Sequence, residues 1–147
     1  MARTASTDRT TEHLPVWLRR WRVEILLWAF REGRRLDSEA LTAVLGAKHA
    51  RLDEPITQWT RHTVRELLWC DVAEWCAERE LAVPEAVAVT TWAVLDYLAA
   101  SDAFGPGSDP LAALRVPLVD SGGLRADGRP RSQSRSRRAH PSTHRAG

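Results

Sequence analysis

Apolar positions recur along this chain at helical spacing and nowhere alternate with period two for long enough to form a strand. Pro15 suits the first turn of a helix and Gly33 its C-terminal cap. Between them Trp17, Trp21, Ile25 and Trp28 fall within an arc of about 80° at 100° per residue, one continuous stripe. Leu18, Leu26, Leu27 and Phe30 spread apolar character beyond it, which predicts a central helix contacted from more than one side. A short second helix is capped by Asp37 or Ser38, shows Leu41, Val44 and Leu45 on one face, and ends at Gly46. Residues 47–55 read as a loop. Thr60 caps a third helix with Val64, Leu67, Leu68, Val72 and Trp75 inward and Asp71 on the edge of that stripe, either a boundary residue or a buried carboxylate that needs a partner.

Pro84 and Glu85 open a fourth helix, with Val87, Thr91, Val94, Leu95 and Leu98 on one face and Trp92 and Ala99 flanking it. It stops before Gly105-Pro106-Gly107. Ser108 or Asp109 then caps a short fifth helix that opens at Pro110, turns Leu111 and Leu114 inward and ends at Pro117. The expected fold is all-α, a small irregular bundle of about five helices. Residues 1–12 read as a flexible leader, 13–118 as the helical domain and 119–147 as a disordered tail.

Composition changes this picture at the C-terminus. From Ser121 onward the chain has no aromatic or β-branched aliphatic residue, seven arginines and one acid, Asp127. The tail is therefore +6, and the overall +2 leaves residues 1–120 at −4. Only one of the 21 basic residues is a lysine, Lys48, a bias that with abundant alanine fits a GC-rich bacterial genome. Three readings of the tail stand side by side. It binds nucleic acid or an acidic surface, with Arg129, Arg131, Arg135, Arg137 and Arg138 as the contacts; it is a solvated extension; or it is out-of-frame sequence. No aromatic interleaves the arginines, so the tail offers no stacking platform for single strands.

No residue set marks a catalytic, cofactor or metal site. His140 and His144 have the spacing of a helical metal pair, but Pro141 between them removes the helix. His49 and His62 stand without a catalytic partner at a familiar spacing, and Cys70 and Cys76 match neither a redox nor a zinc motif. The two cysteines lie about 240° apart on one helix, so they cannot bridge. Trp mixed with Arg19, Arg20, Arg22 and Arg31 invites a membrane-surface reading of the first helix, yet apolar residues on nearly every side suit a bundle better. The stretch SEALTAVLG is like the first helix of a DNA-reading helix-turn-helix, but about fifteen residues separate it from the next helix, and the acidic domain has the wrong sign for phosphates. The polar N-terminal dozen and the absence of a long apolar run point to a soluble cytoplasmic protein with reduced thiols and no membrane contact.

Residues 52–115 carry Trp59, Thr60, Val64, Leu67, Leu68, then Val83, Pro84, Glu85 and Val87, then Leu95 and Leu98 before a Gly/Asp-Pro turn. This pattern resembles a helical module of uncharacterised actinobacterial proteins, some of which also carry SEC-C zinc motifs that this chain lacks. The resemblance implies a helical fold and no particular activity. The residues thus lead to a non-enzymatic protein-interaction module, needing no cofactor and acting on an unknown protein partner or on itself. Trp69, Trp75 and Trp92, partly off their helices' main stripes, are the candidate contacts. The alternative is a nucleic-acid-binding accessory protein working through the tail. A third reading, an enzyme, requires Asp71, His62 or Glu74 to converge on a pocket.

Overall fold

The computed structural model describes residues 11–131. Five helices lie wholly within them: α1 (Val16–Arg31), α2 (Ser38–His49), α3, α4 (Val87–Ala100) and α5 (Leu111–Asp120). α3 is one rod in three parts, Arg61–Glu66, a π-helical turn Leu67–Asp71, and Val72–Glu78. The all-α bundle expected from the periodicity is what the chain forms, with one isolated bridge, Leu124 to Pro130, as its only β pairing among the described residues.

The centre of the bundle is α2, and α1 lies at the edge, the reverse of the sequence expectation. Every residue of α2 from Ala40 to Lys48 is buried, with α1, α3 and α4 packed around it. Of the two expected caps, Asp37 and Ser38, Asp37 serves, accepting the Glu39 and Ala40 N–H groups at 2.9 and 3.2 Å. Gly46 does not end it. A side chain there would meet the Trp75 indole at 2.3 Å, so the glycine stays mid-helix to let α3 approach. The helix therefore continues to His49 through residues that read as a loop. Gly46→Ala is expected to cost about 1–3 kcal/mol in urea unfolding, because the methyl overpacks a rigid indole. Propensity alone predicts a gain of about 1 kcal/mol from the same change.

In α3, Thr60 caps as expected, accepting the Thr63 N–H at 3.1 Å. Its buried residues run Val64, Leu67, Val72, Trp75. The step of five from Leu67 to Val72 is the length of the π turn, in which the Val72 N–H bonds Leu67 O. That extra residue keeps both halves of the rod on the core. The fourth helix begins at Val87, two residues beyond Glu85, which sits in the preceding turn.

Ser108 and Asp109 serve a distant partner instead of their own helix. Asp109 accepts the Arg61 N–H at 2.8 Å, and Ser108 accepts the Trp59 N–H at 3.1 Å while donating to Thr57 O. Asp109→Ala is accordingly expected to cost about 1 kcal/mol, measured by thermal unfolding, through loss of a cap on α3. Pro117 does not end α5, which runs on to Asp120.

Beyond α5 the chain folds back. The segment 119–131 was expected to be tail, yet residues 119–120 finish α5 and residues 121–131 form a tight reversal. Arg125 donates to Arg129 O at 2.7 Å, Arg131 to Gly123 O at 3.0 Å, and Gly123 and Gly128 supply the positive φ of 75° and 86°. Leu124, only 3% exposed, anchors the reversal in the core. One leucine suffices because the backbone satisfies its own polar groups. Arg135, Arg137 and Arg138 of the tail and most of the leader fall outside the described residues.

Candidate interaction surface

α1 buries Leu18, Arg22, Ile25 and Ala29 on one side. Arg22 is tolerated there because it donates to Thr42 Oγ1 at 2.8 Å, although burial lowers its pKa. The opposite side is apolar as well. Val16, Trp17, Val23, Leu27 and Phe30 are 48–80% exposed. At 100° per residue, Val16, Val23, Leu27 and Phe30 fall within an arc of about 60° on the outward face. Their flank carries Trp17, Arg20, Glu24 and Arg31. The predicted core stripe is divided: Ile25 is buried, Trp21 and Trp28 lie edge-on to Tyr97 at 6.1 and 5.6 Å, and Trp17 is half exposed with its edge on His49 at 5.4 Å. Arg34 stacks on Trp28 at 4.9 Å. These contacts seat the inward and lateral aromatics of the helix against their neighbours.

The three tryptophans singled out from sequence do not form one surface. Trp69, on the π turn, is 72% exposed. Trp75 is buried in the α2–α3 contact beneath the Arg79 guanidinium at 4.4 Å, which removes it as a contact residue. Trp92 is half-buried between Arg115, 4.6 Å from its ring, and Gly128. Among the described residues no ring contact joins the three. The outward face of α1 went unrecognised as a surface, although its signal was present: positions 16, 20, 23, 27 and 30 follow the four–three spacing of a helix–helix seam.

Of the tail arginines, Arg129 and Arg131 are described. Arg129 lines an open cleft of about 350 Å³ with Arg34, Arg35, Trp92 and Asp127. Arg34 and Arg115 share the Asp96 carboxylate, whereas neither Arg35 nor Arg129 pairs with a carboxylate among the described residues.

A second charged group is built around the only lysine. Lys48 is fully buried at the end of α2; its ammonium donates to Pro55 O at 2.8 Å, meets Glu54 Oε1 at 3.1 Å and lies 5.3 Å from the Trp59 ring centroid. Desolvation lowers its pKa, against the pull of Glu54. Glu54 also accepts from Thr63 and, at 2.9 Å, from Arg51. Burial alone would raise its pKa, but these bonds outweigh it and hold the carboxyl below its ordinary value. Arg51 in turn binds Glu66 at 2.8 Å and Asp71 at 2.6 Å. Partial burial opposes the Arg51 charge, and its three carboxylate partners raise its pKa above the ordinary value regardless.

Asp71 thus has its partner, reached from a loop twenty residues away. With Glu74, Arg51 and Trp75 it lines a second open cleft of about 210 Å³, while His62 stays on the outer surface, 3.2 Å from Glu66. Burial raises the pKa of the Cys76 thiol; for exposed Cys70, slight desolvation and then the carboxylates of Asp71, Glu74 and Glu66 act in the same direction. Both shifts disfavour the thiolate, the nucleophilic form. Among the described residues no three His, Cys, Asp or Glu side chains gather so as to hold a metal ion. No helix there is long and apolar enough to cross a membrane.

No family model, curated protein or solved structure matches this chain. The resemblance of residues 52–115 to the actinobacterial helical module therefore has no further support beyond its own residues.

Proposed function

We propose that this chain is a non-enzymatic helical interaction module that works through protein contacts on the outward face of α1. The observation that carries this reading is the exposure of Val16, Val23, Leu27 and Phe30 along one side of α1, with half-exposed Trp17 on its flank. A contiguous apolar strip of this kind, rimmed by charge, is the usual mark of a contact surface. Of the three groups that the enzyme reading needs together, Asp71 and Glu74 line one open cleft, where Asp71 is paired with Arg51, and exposed His62 is not among its lining residues. A photo-crosslinking residue at position 27 or 30 is expected to give protein adducts in cells, while the same residue at exposed Glu85, on another part of the surface, gives none. Equal labelling at the three positions, or none, overturns the reading.

The second reading is nucleic-acid binding. It is favoured by the convergence of Arg35 and Arg129, without carboxylate partners, on the cleft beside Trp92. Binding of labelled DNA or RNA that weakens steeply with salt, and weakens again in Arg35→Ala/Arg129→Ala, is its expected outcome.

A further inference from the structure

We infer that the partner of this face is a second copy of the chain, with the two α1 helices packed antiparallel about a two-fold axis close to Val23. The inference rests on the reading of the α1 face as a protein contact and adds the identity of what covers it.

The first argument is spacing. Val16, Arg20, Val23, Leu27 and Phe30 repeat four, three, four and three residues apart, which keeps one seam facing a partner helix over about 21 Å. Four of the five positions are apolar, and those four are exposed. The fifth, Arg20, lies where the seam meets its charged flank, and a charge at that position selects one pairing register over others.

The second argument is charge. One flank of the seam reads Trp17, Arg20, Glu24, Arg31. In an antiparallel pair related by a two-fold axis, like flanks of the two helices face each other. With the axis near residue 23, the two Glu24 side chains flank the axis, Arg20 of each copy comes beside Glu24 of the other and offsets that like-charge contact, and Arg31 comes beside Trp17. Each copy thus contributes one arginine and one glutamate to two ion pairs across the axis, and a guanidinium for an aromatic face. Phe30 lies against Val16 of the opposite copy and Val23 against itself. The flank is complementary to its own reverse, which a partner of arbitrary sequence has no reason to match.

Glu24 at the middle of the strip, and the mixed sign of the flank, disfavour an anionic lipid surface, which calls for a basic polar side throughout. The strip is also short. A contact built on two such helices falls at the low end of interface sizes, so dissociation on the order of micromolar is expected, with a dimer that forms and separates with concentration.

Sedimentation of the full chain from submicromolar to near-millimolar concentration tests this. The mass is expected to rise toward twice that of the chain, and Leu27→Glu is expected to weaken association at least about tenfold. Leu27 is 54% exposed, so that variant should keep its circular dichroism spectrum and unfolding midpoint. Arg20→Glu and Glu24→Arg should each weaken the dimer, and the double exchange should restore it.

Orientation is read in a Cys70→Ser background. There Val16→Cys/Phe30→Cys is expected to form an interchain disulfide under oxidation, and neither single variant is. Ready cross-linking of Val16→Cys alone means a parallel pair and overturns the proposal. So does a chain that stays monomeric throughout, or one that stays monomeric while sedimenting with anionic vesicles in a Leu27-dependent way.

Adduct masses from the photo-crosslinking experiment separate the two levels of failure. Adducts at twice the chain mass support self-association. Adducts only with other proteins, from a chain that is monomeric when pure, overturn this inference and leave the interaction reading standing. Absence of any adduct removes both.

Discussion

Glu54→Ala is expected to destabilise the protein by about 3–5 kcal/mol, because it strands a fully buried ammonium. Lys48 Nζ would retain only Pro55 O and the Trp59 ring, neither of which carries a countercharge. The same substitution takes from Arg51 its 2.9 Å partner and from the Thr63 hydroxyl its carboxylate acceptor, leaving it Thr60 Oγ1 at 2.9 Å. Urea unfolding measures the loss. The decisive comparison is Lys48→Met in the Glu54→Ala background: removing the second charge should recover part of the stability, since the penalty lies in an unpaired buried charge. If the two losses simply add, the pair is not the source of the effect.

The pH dependence follows with a definite sign. Glu54 has a folded pKa below its ordinary 4.5, so its contribution is complete above that value and is lost as pH falls through the folded one. The unfolding midpoint should drop in acid below about pH 4.5 in the wild-type chain and drop less steeply in Glu54→Ala.

The second large effect is expected from Leu124→Ala, about 2–5 kcal/mol. Leu124 is 3% exposed and belongs to the main hydrophobic cluster, with the reversal of residues 121–131 folded around it. A chain ending at Asp120 should lose at least as much, because Gly128 also leaves the Trp92 indole. Both are read by thermal unfolding. A chain ending at Asp120 with unchanged stability would mean that this segment adds nothing to the domain.

That segment shows where the sequence could be read and where it could not. Composition places the change at Ser121 correctly as a change of kind, since the following residues are polar, glycine-rich and arginine-rich. Average composition has no sensitivity to a single leucine or glycine, and the reversal up to residue 131 is seated by buried Leu124 and by Gly128 against Trp92. The order of α1 and α2 is a second case. The Trp-rich segment has the larger apolar surface, so it read as the centre, while the shorter, alanine-rich helix showed one apolar face, Leu41, Val44 and Leu45. Packing favours the opposite. Ala40, Ala43, Gly46 and Ala47 let three neighbours approach closely, and the bulk of Trp17, Leu27 and Phe30 is left outside.

The candidate surface follows from the same reversal. Its residues were visible as apolar, and their four–three spacing was present in the chain, but spacing alone does not separate a helix buried on two sides from one with an unpartnered second side. The ion-pair cluster was less legible still. Asp71 was marked as needing a partner, and Arg51 was hidden in a polar stretch that read as loop.

By itself the sequence determined the helical class, a cap at Asp37 or Ser38, the cap at Thr60 and the inward faces of α3 and α4, because these depend on neighbours within a turn or two. Only the tertiary structure decided which helix lies at the centre, why Gly46 stays helical, where Asp109 caps, what Lys48 is buried against and which side of α1 is left open. Each of those depends on contacts between residues far apart in the chain, whose energies exceed the local preferences they override.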